Sequence, residues 1–324
     1  MQVVRFQSSH EQQWETFVAA SRNGTVFHTR RFLAYHPADR FEDHSLLFFD
    51  GPHLRAVLPA AERTDGDRTL LASHPGASYG GLVLHPDATV ADTGIIIDVL
   101  IEYARAEKFA SLSMLRLTPA SVRTQFSDDA EYWLYQRGGI VTRFEMDGSI
   151  DLRGWSDNAM LEQFSGKCRN AVRQAQRSGL TVHISEDITA FWTILETTLA
   201  ARHSAHPTHT REEIERLAKL LGGDLRLFAA FDGDTMVGGI LTITLHSKAV
   251  YTLYIAQNYE YQKHHPVHLI LAEIIRTGIV EKRDTLHLGV STEDGGKKVN
   301  EGLFFFKESF GMKPVRRESW EIVL

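Results

Sequence analysis

The chain has 324 residues, 43% of them hydrophobic and 23% charged, with a formal net charge of -6. That length builds two domains with a sizeable core in each, and the ordinary composition excludes a disordered, fibrous or disulfide-rich protein. The acidic balance excludes a general nucleic-acid coat while leaving room for a local basic groove. In chain order, the first half opens with a strand over Val3–Phe6 and a helix over His10–Ala20 that Ser8 or Ser9 can cap. A turn at Asn23-Gly24 and a short helix over Arg31–Tyr35 follow. Strands over Ser45–Phe49 and Leu54–Ala61 join through Asp50-Gly51-Pro52, and Thr69–Ala72 continues the sheet. The loop Ser73–Gly81 leads to a strand over Leu82–Leu84, an amphipathic helix over Thr89–Lys108 and a strand over Ser111–Leu117. A mostly helical Ala120–Arg137 and a closing strand over Val141–Asp151 complete this half.

The second half repeats the scheme. A helix is expected over Asn158–Ser178, ended by Gly179, then a strand over Leu180–Ser185. Helices over Ile188–Ala205 and Thr210–Leu221 come next, the latter with Thr210 and Glu213 spaced as a capping box. Strands over Leu225–Phe231 and Thr235–His246 pair across Asp232-Gly233-Asp234, and Ala249–Ala256 pairs beside them. The run Pro266–Glu281 is an apolar, buried helix with proline in its first turn. A strand over Thr285–Leu288, a helix over Gly302–Phe310 and a strand over Pro314–Val323 end the chain. The fold class is therefore α/β with mixed sheets, in two domains, 1–151 and 152–324. No signal peptide is evident, and no stretch reaches the roughly 18 apolar residues of a membrane span. The single cysteine, Cys168, excludes an internal disulfide framework and points to a reducing, cytoplasmic setting.

Several segments carry a resemblance: Phe27-His28-Thr29 with Phe32, Ser73–Gly81 with its Tyr79-Gly80-Gly81, and Lys167–Ala175 running into Gly179-Leu180. Gly238-Gly239 and Phe306-Lys307-Glu308-Ser309-Phe310-Gly311 complete the set. In this order, over nearly the whole chain, they resemble the FemAB-like group of the GNAT acyltransferase superfamily. That group holds peptidoglycan aminoacyltransferases and proteins associated with polysaccharide and cell-surface loci. The resemblance implies tandem GNAT-like domains with the active site in the cleft between them. It implies transfer of an acyl or aminoacyl group from acyl-CoA or aminoacyl-tRNA to an amine on a sugar, a nucleotide-linked sugar or an amino acid. Transfer RNA or an acyl carrier protein would then be partners. Two departures stand out. No coiled-coil arm fits in the second half, and the glycine-bearing turn that binds a CoA pyrophosphate reads Gln262-Lys263-His264-His265-Pro266-Val267, without its glycines. Proline there also removes an N–H donor. Gln262, Lys263 and His264 remain the candidates for holding the donor, and a GNAT-fold binding module without catalysis is the alternative from another class.

Acyl transfer to an amine needs a neutral amine, a polarised carbonyl and a proton delivered to the leaving group. His203, His206 and His209 cluster after a long helix, either as a polar loop or as base and substrate contacts; no compact Cys/His/Asp set supports a metal. His203 and Tyr254 are the candidates for proton handling. Tyr251 and Tyr254, three residues apart on one strand, should point to opposite faces. Arg169, Arg173 and Arg177 recur every four residues, and the resemblance turns Lys167, Arg169 and Arg173 into phosphate ligands rather than a solvated face. His74, Ser78 and Tyr79 are substrate-binding candidates in a loop whose glycines permit close approach. Lys307 matches the group's lysine in the final helix, and the polar loop Ser291–Lys298 can close over a phosphate or sugar. Cys168 lies on an apolar stripe with no adjacent base and reads as an inert thiol, so direct attack is expected.

Overall fold

The computed structural model describes residues 1–203 and 206–324, with the backbone alone for Arg202 and His203. It forms two compact units, one of residues 1–146, 292–298 and 315–324, the other of residues 147–291 and 299–314. The unit boundary after Met146 runs through the strand Ile140–Asp151, and the last strand counts mainly with the first unit.

In the first unit the elements run β1 (Gln2–Arg5), α1 (Glu11–Ala20), α2 (Arg30–Leu33), β2 (Glu42–Asp43), β3 (Leu46–Asp50), β4 (His53–Leu58), β5 (Ala61–Asp65) and β6 (Arg68–Ser73). They continue with β7 (Val83–Leu84), α3 (Val90–Ala106), β8 (Ser111–Met114), α4 (Asp129–Gln136) and β9 (Ile140–Asp151). One sheet has the order β1-β3-β4-β7. Leu46, Phe48, Ala56 and Leu58 bury toward Ile96, Ile97 and Leu100 of α3. Leu47, Val57 and Val83 bury toward Trp14, Phe17 and Val18 of α1. Burial on both faces explains why Leu46-Leu47-Phe48 is a continuous apolar run rather than an alternating one. The expected helix over 120–137 is confined to α4. The backbone N–H groups of Thr124 and Gln125 bond instead to the carbonyl of Arg22, which ties that segment down as a loop.

The second unit contains α5 (Gly166–Arg177), β10 (Thr181–Ser185), α6 (Ile188–His203), α7 (Arg211–Leu221), β11 (Leu225–Asp232), β12 (Thr235–His246) and β13 (Ala249–Gln257). Next come α8 (Pro266–Val280), β14 (Thr285–Val290), the short strands β15 (Thr292–Glu293) and β16 (Lys298–Val299), α9 (Glu301–Glu308) and β17 (Lys313–Val323). Residues 292–298 and 315–324 of this run count with the first unit, where β17 pairs antiparallel with β8. The strand order is β10-β11-β12-β13-β14, followed by the end of β9, and all neighbours are antiparallel except β13 and β14. On one face Ile270, Leu271, Ile274 and Ile275 of α8 pack with Phe228, Ile240 and Leu286. On the other lie α6 and α7, with Phe191 of α6 so close to Gly239 that a Cβ there would stand 2.6 Å from its ring. The expected helix over 158–178 is broken: Met160–Gln163 is a 3-10 turn, and Ser165 restarts the helix by accepting the Cys168 N–H at 3.2 Å. Among the described residues no helix is long and apolar enough to cross a membrane.

Candidate functional site

The feature around which the second unit is organised is the parting of two parallel strands. β13 and β14 pair only through Ala249–Thr285, Val250–Leu286 and Tyr251–His287. β13 then runs on to Gln257 against β12 alone, while β14 continues against β9. Just past the last paired residue, β13 carries a bulge. Thr252 lies opposite Thr242 and Tyr254 opposite Leu241, so Leu253 is the extra residue. Cross-strand partners share a face. Tyr251, opposite Ile243, and Tyr254, opposite Leu241, therefore lie on the same face, and the alternation expected from their spacing is overturned by the bulge.

Two buried hydroxyls sit where the strands part. Thr252, 4% exposed, and Ser291, 1% exposed, have side-chain oxygens with no hydrogen-bond partner among the described residues. Buried polar groups are normally satisfied, so an unmet pair marks a place for a ligand or water. Beside them, the ammonium of buried Lys307 donates to the carbonyls of Gly289 at 2.8 Å and Val290 at 2.9 Å. Gly289 has φ +70°, which glycine adopts without strain. Lys307 thereby fixes the end of β14. Fully buried His287 and Asp147 face each other at 4.0 Å.

The start of α8 departs from a glycine-rich anion turn in a specific way. Gln262 and Lys263 are exposed and His264 half-buried, and His265 takes the left-handed conformation (φ 55°) just before Pro266. Gln174 of α5 donates to the Lys263 carbonyl at 3.0 Å, which joins that turn to α5. On α5, Lys167, Arg173 and Arg177 are exposed and Arg169 is half-buried; none of the four has an ion-pair partner among the described residues. His268, in the first turn of α8, packs against Phe306 and Phe310. Burial, and to a lesser degree His265, pushes its pKa down to about 4, so it is a neutral wall at pH 7.

On the opposite face Tyr254 meets an imidazole. His209 Nδ1 lies 2.7 Å from the phenol oxygen, and the His209 backbone N–H donates to that oxygen at 3.3 Å. Trp192 of α6 stands edge-on to the tyrosine ring. Burial raises the Tyr254 pKa. The side chain of His203 lies outside the described residues, and His206 is exposed. Sequence gave three histidines near one helix end; only the fold selects His209.

His74, Ser78 and Tyr79 belong to the first unit. His74 is 4% exposed and lines a pocket of about 330 Å³ with Arg30, His36, Phe41 and Asp43. Burial, then the neighbouring His36, lowers its pKa to about 3. Ser78 is half-buried, and Tyr79 is fully buried, edge-on to Phe27. The glycines beside it serve packing: a Cβ on Gly80 would stand 2.2 Å from the Ser73 carbonyl oxygen. Cys168 is buried, and burial pushes its thiol up to about 11 despite the Ser309 hydroxyl beside it.

Residues 163–297 match the family model described as an acetyltransferase (GNAT) domain. No curated protein is a match for the chain. Among solved structures, FemX is similar over 100% of this chain and 98% of its own, with a TM-score of 0.77 and 16% identity. L-PGS from Bacillus licheniformis is similar over 95% and 90%, with a TM-score of 0.61 and 10% identity. A tandem GNAT protein from the clavulanic acid biosynthesis pathway is similar over 99% and 98%, with a TM-score of 0.57 and 12% identity. At these identities the likeness is one of fold. The chain thus shares the fold of FemX and of a tandem GNAT protein, and its residues 163–297 form a GNAT domain of the acetyltransferase type, which makes acyl transfer the chemistry of that domain.

Proposed function

We propose that the second unit transfers an acyl or aminoacyl group from an activated donor to the amine of a sugar, a nucleotide-linked sugar or an amino acid, without a covalent enzyme intermediate. The observation that carries this reading is the parting of β13 and β14 at Thr252, with the bulge at Leu253. An extended donor arm can add to the open edge of β13, as a peptide adds to a sheet edge. A backbone N–H freed by the bulge can polarise the donor carbonyl. Thr252 and Ser291 supply hydroxyls that lack partners among the described residues. Lys167, Arg169 and Arg173, with the turn at Gln262, Lys263 and His264, hold donor phosphates. Lys307 fixes the strand end beside them. Direct attack is favoured because the Cys168 thiol, protonated and buried, is no nucleophile. In the first unit, His74, beside its pocket, and Ser78 are proposed to bind substrate, and Tyr79 to brace their loop.

A second reading takes aminoacyl-tRNA as the donor. The exposed cations of α5, without ion-pair partners among the described residues and next to the exposed turn before α8, favour it, since a polyanion needs a basic track rather than one glycine-lined turn. Thermal melts against acetyl-CoA, longer acyl-CoAs, tRNA and UDP-sugars test both readings. A ligand at about 100 times its Kd adds about 2.7 kcal/mol to the stability of the folded state. A shift with an acyl-CoA that Thr252→Trp abolishes supports a thioester donor. A shift with tRNA that salt and Arg173→Glu abolish supports the second reading. Silence with every donor, together with absence of transfer, sinks both.

A further inference from the structure

Resting on the transfer reading above, we propose that Tyr254 and His209 form a two-membered relay that takes the proton of the attacking amine and returns it to the leaving group. The hydrogen bonds at the phenol suit one proton arrangement, which the relay adopts. The His209 backbone N–H points at the Tyr254 oxygen at 3.3 Å, so that oxygen accepts there. In the tautomer with the ring proton on Nε2, the phenol O–H donates to His209 Nδ1 at 2.7 Å, with Thr208 also hydrogen-bonded to the phenol. His209 then carries its own proton on Nε2, with Nδ1 as a base already aimed at the phenol. The location fits the chemistry. Tyr254 is the residue after the bulge, on the strand edge that β14 has left, and shares its face with Tyr251. Trp192 of α6 and the His209 ring both stand edge-on to the phenol, at centroid distances of 5.4 and 5.7 Å, and hold it in one orientation.

Tyr254 by itself is not a base near neutral pH. Burial raises its pKa, and Glu213 of α7 adds to that effect, while the His209 N–H and Thr208 oppose it. Among the described residues Glu213 is the charged group acting on it. A phenol kept protonated can accept a proton only as it gives one away, and His209 is the partner that can take it. In the step, the amine nitrogen bonds to the donor carbonyl carbon. One amine proton passes to the phenol oxygen as the phenol proton passes to Nδ1. The bond from carbon to the donor sulfur or oxygen then breaks with its electron pair. The proton on Nδ1 returns through the phenol to that departing atom. Amine and donor become amide and free thiol or alcohol, and the enzyme regains its starting protonation.

The test compares His209→Asn and Tyr254→Phe with the wild type, after thermal melts show that both fold. Asparagine can still accept the phenol hydrogen bond but cannot take a proton. The relay predicts that both variants bind donor as the wild type does and lose about 100-fold or more in kcat. The double variant should be no worse than either single one, because the pair acts as a unit. The acid limb of the wild-type pH-rate profile should vanish in His209→Asn, and added imidazole should partly restore His209→Ala. A His209→Asn enzyme within threefold of wild type, with an unchanged acid limb, would leave His209 a mere support for Tyr254 and overturn the relay alone. A wild type that binds donors yet transfers to no amine overturns the transfer reading, and the relay falls with it.

Discussion

The ammonium of Lys307, 3% exposed, donates to the carbonyl of Gly289 at 2.8 Å, and to the next carbonyl at 2.9 Å. A helix side chain thereby fastens the end of a strand that has parted from β13 and keeps β9 on its other side. Lys307→Met keeps the length of the side chain and leaves those carbonyls without their cation. Loss of charge-assisted hydrogen bonds predicts a drop of about 3 kcal/mol in unfolding free energy. Urea titration of wild type and variant measures it, and an unchanged midpoint would contradict the role given to Lys307.

Thr252 makes the opposite prediction. Its buried hydroxyl has no partner among the described residues, so Thr252→Val should leave stability unchanged or raise it by about 1 kcal/mol. Donor affinity should fall, because the hydroxyl is placed to meet the donor. Calorimetric titration with the donor, beside a melt of the free variant, separates the two effects.

Acid should weaken the fold in a defined window. His268 has a pKa of about 4 in the folded protein against an ordinary 6.5, because burial disfavours its charged form. The unfolded chain therefore takes up the proton first. Stability is complete above pH 6.5 and declines as pH falls from there toward 4. His28, at about 4, and His74, at about 3, act in the same sense. Replacing His268 by phenylalanine retains an aromatic ring against Phe306 and Phe310 and removes one titrating group, so the plot of unfolding free energy against pH should become shallower. Denaturation at pH 7, 6, 5 and 4.5 checks the slope.

Cys168 should resist thiol reagents. A thiol held at about 11 and 2% exposed is neither ionised nor accessible at pH 8. Native protein should react with a chromogenic disulfide at less than one-hundredth of the rate of the urea-unfolded chain. Rapid labelling of the native protein would count against the direct-attack reading as well.

Gly239 should tolerate no side chain. A Cβ there meets the Phe191 ring at 2.6 Å and Leu227 at 3.0 Å, both buried, so Gly239→Ala should cost about 1–3 kcal/mol. Gly223, with nothing within 4 Å of the same position, is the control. Equal melting temperatures for the two variants would rule out the clash.

Much of this fold could be read from residue pattern. The run Val267 to Ile275 leaves little polar face because the α8 helix is largely buried, and that signal survives without any neighbour being known. Thr210 and Glu213 form the capping box that their spacing announces, with contacts at 3.2 and 2.8 Å. The site was harder to read. Period-2 reasoning put Tyr251 and Tyr254 on opposite faces, and it fails because one inserted residue, Leu253, is set by register with β12 rather than by local preference. The break before α5 was hidden for a similar reason: Ser165 and Gly166 suit a helix start, but the residues before them are equally able to continue a helix. His209 was one of three histidines in a polar stretch, and nothing local distinguishes the one that a strand tyrosine will reach.

The membership of residues 315–324 in the first unit bears on how the chain is made. Trp320 and Ile322 belong to the same core as Leu46, Ile97 and Leu112, and β17 covers the edge of β8 with Trp320 opposite Met114. A ribosome delivers those residues only after the whole of the second unit has been translated. During that interval β8 is an unpaired edge beside an incomplete core, the kind of surface that strands of other chains can join. Nascent chains are therefore most exposed to mispairing while the second unit emerges, and the final ten residues act as a latch that closes the first unit once synthesis reaches them.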